Sequence, residues 1–366
     1  MLRLLVALPA DVDRAVVCPP QGRLAAAVAE RGIDHLPIRG TSVSFRLHPR
    51  WTAVGVADLG RSVADLRGHV RRWGPDVLHA NSTRAGLLAA PLGRPPAVLV
   101  QVHDIMPAGA VSAAVRHILA RRADAVVGVV DAASRAFNAG LGAAPARTVN
   151  ISIDQERFGR PRARPDEVRR SLGVPEDAPL LGEVAQITPW KGQIVAIETL
   201  ARVRERHPDA HLVLVGDIAF AGPAPRYDNA AYLSLLHERV AELGLEGAVH
   251  FAGHRDDVPD VLAALDLFLL PSWRDAFGTA AAEAMACGTV PLVSGDGGVP
   301  EYVEDGVSGR VLPPRDPDAW GRAASELLDD APRREEMARR AREVARRFTD
   351  EAYAAGMMAA YRELAS

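Results

Sequence analysis

The stretch PSWRDAFGTAAAEAMACGTVPLVSGDGGVPE, residues 271–301, is the most informative part of this chain, because a strand end, a loop and a helix follow one another in it. The run LDLFLLP (265–271) is short, apolar and closed by a proline, a pattern that predicts a buried strand. A polar loop follows, and residues 278–286 favour a helix of small residues. Gly288 stands where a helix C-cap glycine belongs.

Two carboxylates frame this loop and helix. Asp275 lies just outside the predicted helix N-terminus, and Glu283 projects from within the helix. The N–H groups around Phe277, Gly278 and Thr279 can meet an anion there, helped by the helix dipole. Acceptor-only side chains beside such a helix end suit a ligand rich in hydroxyls and phosphate, such as a nucleotide sugar. Asp275 could also be a plain helix cap, worth about 1 kcal/mol.

Lysine usage indicates a second site. The chain has 43 lysines and arginines together, and Lys191 is its single lysine. It lies between the strand-like LLGEVA (180–185) and the helix-like IVAIETLARV (194–203), where an ammonium is well placed for a phosphate. A surface lysine kept by chance is the alternative. A Walker motif is absent because Gly192 and Gln193 follow the lysine, and nothing nearby argues for a pyridoxal Schiff base.

Length and composition limit the function classes. A chain of 366 residues with 48% hydrophobic residues favours two domains with separate cores. A net charge of −3 argues against general nucleic-acid binding. With Cys18 and Cys287 as the only cysteines, no disulfide framework is expected and a reducing cytoplasm fits. We expect neither a signal peptide nor a membrane-spanning segment.

Strand-like and helix-like segments alternate along almost the whole chain, which predicts an α/β fold with doubly wound parallel sheets. The strand candidates are residues 14–19, 76–80, 97–103, 124–130 and 147–152, and then 180–185, 211–216, 248–252, 265–270 and 289–294. Residues 154–178 are polar and proline-rich. We therefore expect domains at 1–158 and 179–347, a linker at 159–178, and a terminal segment at 348–366 that crosses back to the first domain.

The second half resembles the retaining glycosyltransferases of family 4, whose fold is called GT-B. That family carries E-P-F-G-x-x-x-x-E followed by A-M-A-C-G, and an Arg and a Lys five apart after the first strand of the C-terminal domain. Here the motif reads DAFGTAAAEAMACG (275–288) and continues as GGVPEYVEDGVSGRVLPPRD (297–316). Gln186 and Lys191 stand for the Arg/Lys pair. The resemblance implies two Rossmann-like domains facing a central cleft.

The resemblance also implies roles for the donor-binding residues. Lys191, with Gln186 assisting, would neutralise the leaving diphosphate. Asp275 would contact hydroxyls of the donor sugar, and Glu283 the ribose hydroxyls, together with the main chain at Phe277, Gly278 and Thr279. The family's contact with the base falls on Gly253, His254 and Arg255, which could equally be an ordinary loop.

In the N-terminal domain, the family often has a histidine that faces the donor sugar across the cleft, and His103 has its place, so the resemblance implies a catalytic role for it beside Lys191 and Asp275. A lone histidine is more often structural, but His103 and Asp104 form a polar pair at the end of a parallel strand, where ligands bind. His79, Asn81 and Ser82 end the preceding strand and are candidates for the acceptor pocket.

Two features depart from the family pattern. Asp275 replaces the usual first Glu and keeps its charge, whereas Gln186 replaces a cation and supplies only hydrogen bonds. Family members open with a strand, a glycine-rich loop and a helix. Here LRLLVALPAD (2–11) predicts the end of that helix or, alternatively, a shortened first strand. We expect the N-terminal domain to lack the family's first strand and glycine loop.

The favoured function is the metal-independent, retaining transfer of a hexose or hexosamine from a nucleotide sugar, UDP- or GDP-linked, to a small-molecule, lipid or glycan acceptor, without a cofactor. Alternatives are a phosphorylase, a sugar-nucleotide epimerase, or a non-catalytic nucleotide-sugar-binding partner, which Gln186 favours. The D-x-D pairs Asp11/Asp13 and Asp316/Asp318 are weak metal candidates. The basic face of MARRAREVARRF (337–348) could touch anionic lipid, although a solvated helix face explains it better.

Overall fold

The structure, a computed structural model, describes residues 1–39, 49–141, 146–218 and 227–365; within residues 49–59 it describes the backbone alone. The chain divides into two compact units. The first comprises Met1–Ser152 together with Asp350–Ser366, and the second comprises Ile153–Thr349.

The first unit contains two parallel sheets. Strands β1 and β2 pair with each other, and a second sheet has the order β3-β4-β5-β6. The strands are β1 (Ala15–Cys18), β2 (Asp34–Pro37), β3 (Val77–Ala80), β4 (Ala97–Val102), β5 (Ala125–Gly128) and β6 (Ala146–Thr148). The helices between and before them are α1 (Leu2–Ala7), α2 (Arg23–Ala29), α3 (Pro49–Trp73), α4 (Thr83–Ala89), α5 (Ala110–Arg122) and α6 (Asp131–Asn138).

The second unit is built on one parallel sheet of six strands in the order β12-β11-β10-β7-β8-β9. These are β7 (Leu180–Val184), β8 (His211–Val215), β9 (Val249–Gly253), β10 (Leu267–Leu270), β11 (Val290–Ser294) and β12 (Arg310–Leu312). The helices are α7 (Gln155–Gly159), α8 (Pro165–Ser171), α9 (Gln193–Arg204), α10 (Asn229–Glu242), α11 (Val258–Ala264), α12 (Thr279–Cys287), α13 (Pro317–Asp329) and α14 (Ala331–Ala345). The order reverses direction at β7, as it does in doubly wound sheets.

The last helix, α15 (Asp350–Ala365), belongs to the first unit. Its Met357 and Ala360 are fully buried in a cluster with Leu99 of β4 and Val127 of β5. Arg3 of α1 forms an ion pair with Asp350 at the start of α15, with nitrogen–oxygen distances of 2.9 and 2.7 Å. The final helix is therefore part of the core that covers the four-stranded sheet.

The predicted α/β fold class is confirmed, and each of the ten predicted segments overlaps a strand, although of residues 147–152 only Arg147 and Thr148 belong to β6. Two short strands were not predicted, β2 and β12. Residues 2–7 form a helix, so the alternative interpretation of LRLLVAL as a first strand is wrong. The expected boundaries at 158 and 347 differ from those of the units, and residues 159–178, expected as a linker, lie in the second unit, where α8 packs against α11.

The centre of the second sheet determines where its polar residues can lie. β10 has four buried residues, Leu267 to Leu270, and pairs in parallel with both β7 and β11. Strands that are covered on both faces carry near-continuous apolar runs, which is why these segments were recognisable. Their carboxyl ends lie at one edge of the sheet, the place where open α/β sheets bind ligands. None of the helices in the described ranges combines the length and the apolar character that a bilayer crossing requires.

Candidate functional site

Lys191 and Asp275 form an ion pair at the carboxyl edge of the second sheet. Lys191 ends the short 3₁₀ turn that follows β7, and Asp275 lies in the loop that follows β10. Lys191 Nζ donates to Asp275 Oδ2 at 2.7 Å, and the two side chains are 17% and 14% exposed. Asp275 does not cap α12, whose N-cap is Gly278. The two residues that sequence analysis selected separately are therefore one charged pair.

Close backbone packing holds the two loops of this pair together. Gly192 has φ +84°, and a Cβ on it would lie 2.4 Å from the carbonyl oxygen of Pro271. The amide of Trp273 donates to the carbonyl of Trp190 at 2.9 Å. Lys191 Nζ lies 4.1 Å from the centre of the Trp190 ring, a cation–π distance. These contacts fix the position from which Lys191 extends.

A second loop supports Asp275 from the other side. The amide of Gly298 donates to the Asp275 carbonyl at 2.9 Å, and residues 275 and 297 form an isolated parallel bridge. Gly297 has φ +118°, and a Cβ there would lie 2.2 Å from the Asp275 carbonyl oxygen. The glycine at position 297 therefore has a structural cause, the close approach of two backbones.

The N-terminus of α12 is held by its neighbours and has no side-chain cap among the described residues. The ring of Phe277 is buried against Tyr302 and Phe348, so only its backbone can face a ligand. Tyr302 donates its hydroxyl to the carbonyls of Phe277 (2.6 Å) and Gly278 (3.1 Å). The exposed Thr279 begins the helix.

Glu283 lies in the middle of α12 and is half-buried. Burial raises the pKa of Tyr302 well above its usual range, and the charges of Asp275 and Glu283 add to that rise. Both predicted carboxylates thus lie within electrostatic reach of the same phenol. Gly288 ends the helix at φ +84°, as predicted.

Glu183 is a member of this site that sequence analysis missed. It lies in β7, is 1% exposed, and neither of its carboxyl oxygens has a hydrogen-bond partner within the described part of the chain. Burial raises the pKa of its carboxyl well above the usual range; the Lys191 ammonium opposes the rise and Asp275 adds to it. Nearby, Ser272 Oγ and Gln193 Oε1 are also buried without a described partner. The signal was available, since Glu183 interrupts an apolar strand.

The remaining donor-side candidates lie on two loops of the same unit. Gln186 is exposed, and its carbonyl accepts from Gln193 Nε2 at 2.9 Å. Gly253 ends β9 with φ +61°. Arg255 donates twice to Asp257, at 2.8 and 2.5 Å, and this bond raises the pKa of the guanidinium. The Arg255 guanidinium is thus paired within its own loop. His254 is exposed.

In the first unit, the acceptor-side candidates have different roles. His103 donates from Nε2 to Asn81 Oδ1 at 2.9 Å, which brings the ends of β3 and β4 together. His79 Nδ1 lies 2.7 Å from the hydroxyl of Tyr361. Ser82 caps α4 by accepting from the Ala85 amide, which accounts for this serine without a ligand. The exposed Asp104 follows His103.

Both histidines of this group are uncharged at neutral pH. Burial lowers the pKa of His79 to about 3 and that of His103 to about 4. An uncharged imidazole that donates through Nε2 can hold a polar partner but offers no positive charge to an anion.

The first unit also has a cavity of about 710 Å³ near the carboxyl ends of β1 and β2. Arg39, Arg72 and His69 line it together with Asp65. His69 donates from Nε2 to the Pro37 carbonyl at 2.8 Å, and Arg72 donates to its Nδ1 at 3.2 Å. Sequence analysis did not select these residues, because in a chain so rich in arginine no single arginine stands out.

The structure also shows where the weaker metal and lipid candidates from the sequence lie. Asp316 caps α13 by accepting from the Ala319 amide. No group of three or more His, Cys, Asp or Glu side chains that could hold a metal ion is found in the described ranges. On α14, Arg340 pairs with Glu336 and Glu343, in keeping with a solvated helix face.

Comparison with known proteins identifies both halves of the chain. The profile of glycosyl transferases group 1 matches residues 165–344, and that of the glycosyl transferase 4-like domain matches residues 1–154. The chain is 31% identical over 323 residues to D-inositol 3-phosphate glycosyltransferase 2 of Catenulispora acidiphila, an alignment that covers 84% of this chain and 71% of that relative. It is 37% identical over 201 residues to D-inositol 3-phosphate glycosyltransferase of Stackebrandtia nassauensis, covering 53% and 43%. The chain spans about half the length of most of the curated relatives it matches.

Solved structures share the fold. HepE from Anabaena, in complex with UDP, superposes with a TM-score of 0.83 at 23% identity, covering 99% of this chain and 96% of that one. Sucrose-phosphate synthase from Thermosynechococcus elongatus superposes with a TM-score of 0.74 at 22% identity, covering 98% and 87%. At these identities the likeness extends to the fold alone.

Proposed function

This chain belongs to the family 4 glycosyltransferases, the glycosyl transferases group 1, which have the GT-B fold, and we propose that it transfers a hexose or hexosamine from a UDP- or GDP-linked donor with retention of configuration. The observation that carries the proposal is the Lys191–Asp275 pair at the carboxyl edge of the second sheet. Relatives named for glycosyl transfer to D-inositol 3-phosphate, and a structural neighbour that binds UDP, support the choice of reaction and donor.

The pair suits the chemistry of a leaving nucleoside diphosphate. As the glycosidic bond breaks, negative charge grows on the phosphate oxygen, and Lys191 can shift from Asp275 to meet it. A cation whose interaction strengthens as charge develops stabilises the transition state more than the ground state. Asp275, released from the lysine, can then accept hydrogen bonds from hydroxyls of the sugar.

The other candidates complete a donor site on the second unit. The uncapped N-terminus of α12 offers amide groups to the phosphates. Glu283 accepts from the ribose hydroxyls, and Gly253 and His254 lie on a loop that can contact the base. With the acceptor proton taken by the departing phosphate oxygen, the reaction needs neither a protein base nor a metal ion.

The first unit would hold the acceptor. Asn81 follows β3 and His103 follows β4, and the hydrogen bond between them presents polar groups at the ends of both strands. Asp104 follows His103 in the sequence, and His79 lies on β3. Small molecules, lipids and glycans are all suitable acceptors, and the names of the relatives place a phosphorylated inositol first among those to be assayed.

Nucleotide binding is the first experiment. Isothermal titration with UDP, GDP, dTDP and ADP, with and without magnesium, should show one preferred base and no metal requirement. Lys191→Gln and Glu283→Gln should each weaken binding by at least tenfold, while Glu335→Gln, a matched change of an exposed glutamate on α14, should leave it unchanged. Equal affinity in all four proteins would refute the assigned site.

Transfer itself requires a second assay. Incubation of the preferred nucleotide sugar with D-inositol 3-phosphate and other acceptors, followed by mass spectrometry and proton NMR, should show an α-linked product from an α-linked donor. One observation favours a different function: the exposed and neutral Gln186 supplies hydrogen bonds but no charge. Tight nucleotide binding with neither transfer nor hydrolysis would support a non-catalytic nucleotide-sugar-binding partner.

A further inference from the structure

We propose that Glu183 is a third carboxyl of the donor site, that diphosphate binding requires it to be uncharged, and that donor affinity falls when it ionises as the pH rises. This inference rests on the proposed function and adds to it a residue and a pH response. Its basis is one buried side chain that has no hydrogen-bond partner among the described residues and lies on the strand leading to Lys191.

The position of Glu183 is the first argument. It lies near the carboxyl end of β7, where it pairs in register with Leu214 of β8. Its neighbour Gly182 pairs with Phe268 of β10. The residue is thus on the central strand of the sheet, eight positions before Lys191 and at the same edge of the sheet.

The lack of partners is the second argument. Both carboxyl oxygens are buried and without hydrogen bonds to any described residue. An ionised carboxylate in such a place costs several kcal/mol, so the group remains protonated. Lys191 and Asp275 are the groups whose charges act on Glu183, and the neutral phenol of Tyr232 on α10 also lies within electrostatic reach of it. Lys191 is the cation among them, and it is already paired with Asp275.

Charge balance connects this proton to ligand binding. With Glu183 protonated, the Lys191–Asp275 pair is neutral, and Glu283 of α12 is the remaining carboxylate of the site. With Glu183 ionised, the site gains one further negative charge, and Glu183 and Asp275 both compete with the phosphates for Lys191. Like charges in a poorly solvated site repel strongly. Nucleotide binding and protonation of Glu183 therefore support each other.

Titration of UDP and GDP into the wild-type chain and into Glu183→Gln between pH 6 and pH 10 tests this. Glutamine has the same shape and is neutral at every pH. The affinity of Glu183→Gln relative to that of the wild type should rise at least tenfold from the acid to the alkaline end of this range. Since ionisation of the nucleotide is common to both proteins, the ratio of their affinities isolates Glu183.

Two further measurements keep the outcomes separate. Glu183→Leu, neutral and apolar, should follow the glutamine variant, and Glu335→Gln should follow the wild type. Parallel pH profiles in the wild type and Glu183→Gln would overturn the inference and leave the proposed function intact. Absence of nucleotide binding by the wild type at pH 7 would overturn both. Thermal unfolding tests the proton without any ligand: between about pH 4.3 and the raised pKa of Glu183, wild-type stability should fall relative to Glu183→Gln as the pH rises.

Discussion

Replacing Gly192 by alanine tests whether the close approach of two loops fixes Lys191. Gly192 has φ +84°, and an added Cβ would lie 2.4 Å from the Pro271 carbonyl oxygen, a distance that real Cβ atoms do not show. A left-handed alanine costs about 1 kcal/mol, and forcing an atom into a filled space adds about 1–3 kcal/mol. We therefore expect Gly192→Ala to lower the free energy of unfolding by about 2–4 kcal/mol.

Gly244→Ala is the matched control, because Gly244 has φ +65° and no described atom lies within 4 Å of its would-be Cβ. Gly244→Ala should lower the free energy of unfolding only by the cost of a left-handed alanine, about 1 kcal/mol. For a unit of this size each kcal/mol lowers Tm by roughly 2–4 °C, so calorimetry should separate the two variants clearly. Gly192→Ala should also weaken nucleotide binding by at least tenfold, whereas Gly244→Ala should not. Equal Tm shifts in both variants would refute the argument that the 2.4 Å approach matters.

Three more predictions concern buried polar groups. Folding of the first unit lowers the pKa of His79 to about 3 and that of His103 to about 4. The stability that the two neutral histidines contribute should therefore be fully present above pH 6.5 and should fall as the pH decreases from there towards 4. Thermal unfolding of His79→Gln should show a flatter pH profile than that of the wild type. Burial raises the pKa of the Cys287 thiol to about 12. An aromatic disulfide reagent at pH 8 should therefore modify Cys287 only after denaturant is added. Rapid labelling of Cys287 in the native protein would contradict its burial. Tyr302→Phe leaves the carbonyls of Phe277 and Gly278 without their donor and should cost about 1–3 kcal/mol, measured as a lower Tm, with weaker nucleotide binding because the start of α12 loosens.

The strands were predictable because their environment leaves a direct trace in the sequence. A strand covered on both faces must be apolar along its length, and β4, β5, β8, β10 and β11 all read in this way. β2 was missed because its four residues, Asp34 to Pro37, are exposed or half-buried. β12 has only three residues. The short apolar run at residues 2–8 suits either a strand or a helix, an ambiguity that periodicity alone cannot resolve.

Candidate site residues could be selected from the sequence where residue type alone carried the signal. A single lysine in an arginine-rich chain, and two carboxylates around a loop and helix, could be selected without coordinates. Their pairing could not, because Lys191 and Asp275 are 84 positions apart and meet only through the pairing of β7 with β10. Ser82 shows the opposite case: a serine before a helix is first of all a cap, and the structure uses it as one.

The cost of the buried polar atoms explains why they mark the site. Glu183, Ser272 and Gln193 come from β7, from the loop after β10 and from the start of α9, and each has a buried polar atom without a described partner. Any one of them would be disfavoured by packing alone, since an apolar residue of similar volume avoids the desolvation penalty. These three residues lie at the same edge of the sheet as the charged pair, and sequences tolerate such local costs where function requires them. On this reasoning Glu183→Leu should raise the Tm of the second unit and should remove the fall of nucleotide affinity at alkaline pH. A variant that is neither more stable nor altered in the pH profile of nucleotide binding would show that Glu183 belongs to the fold alone.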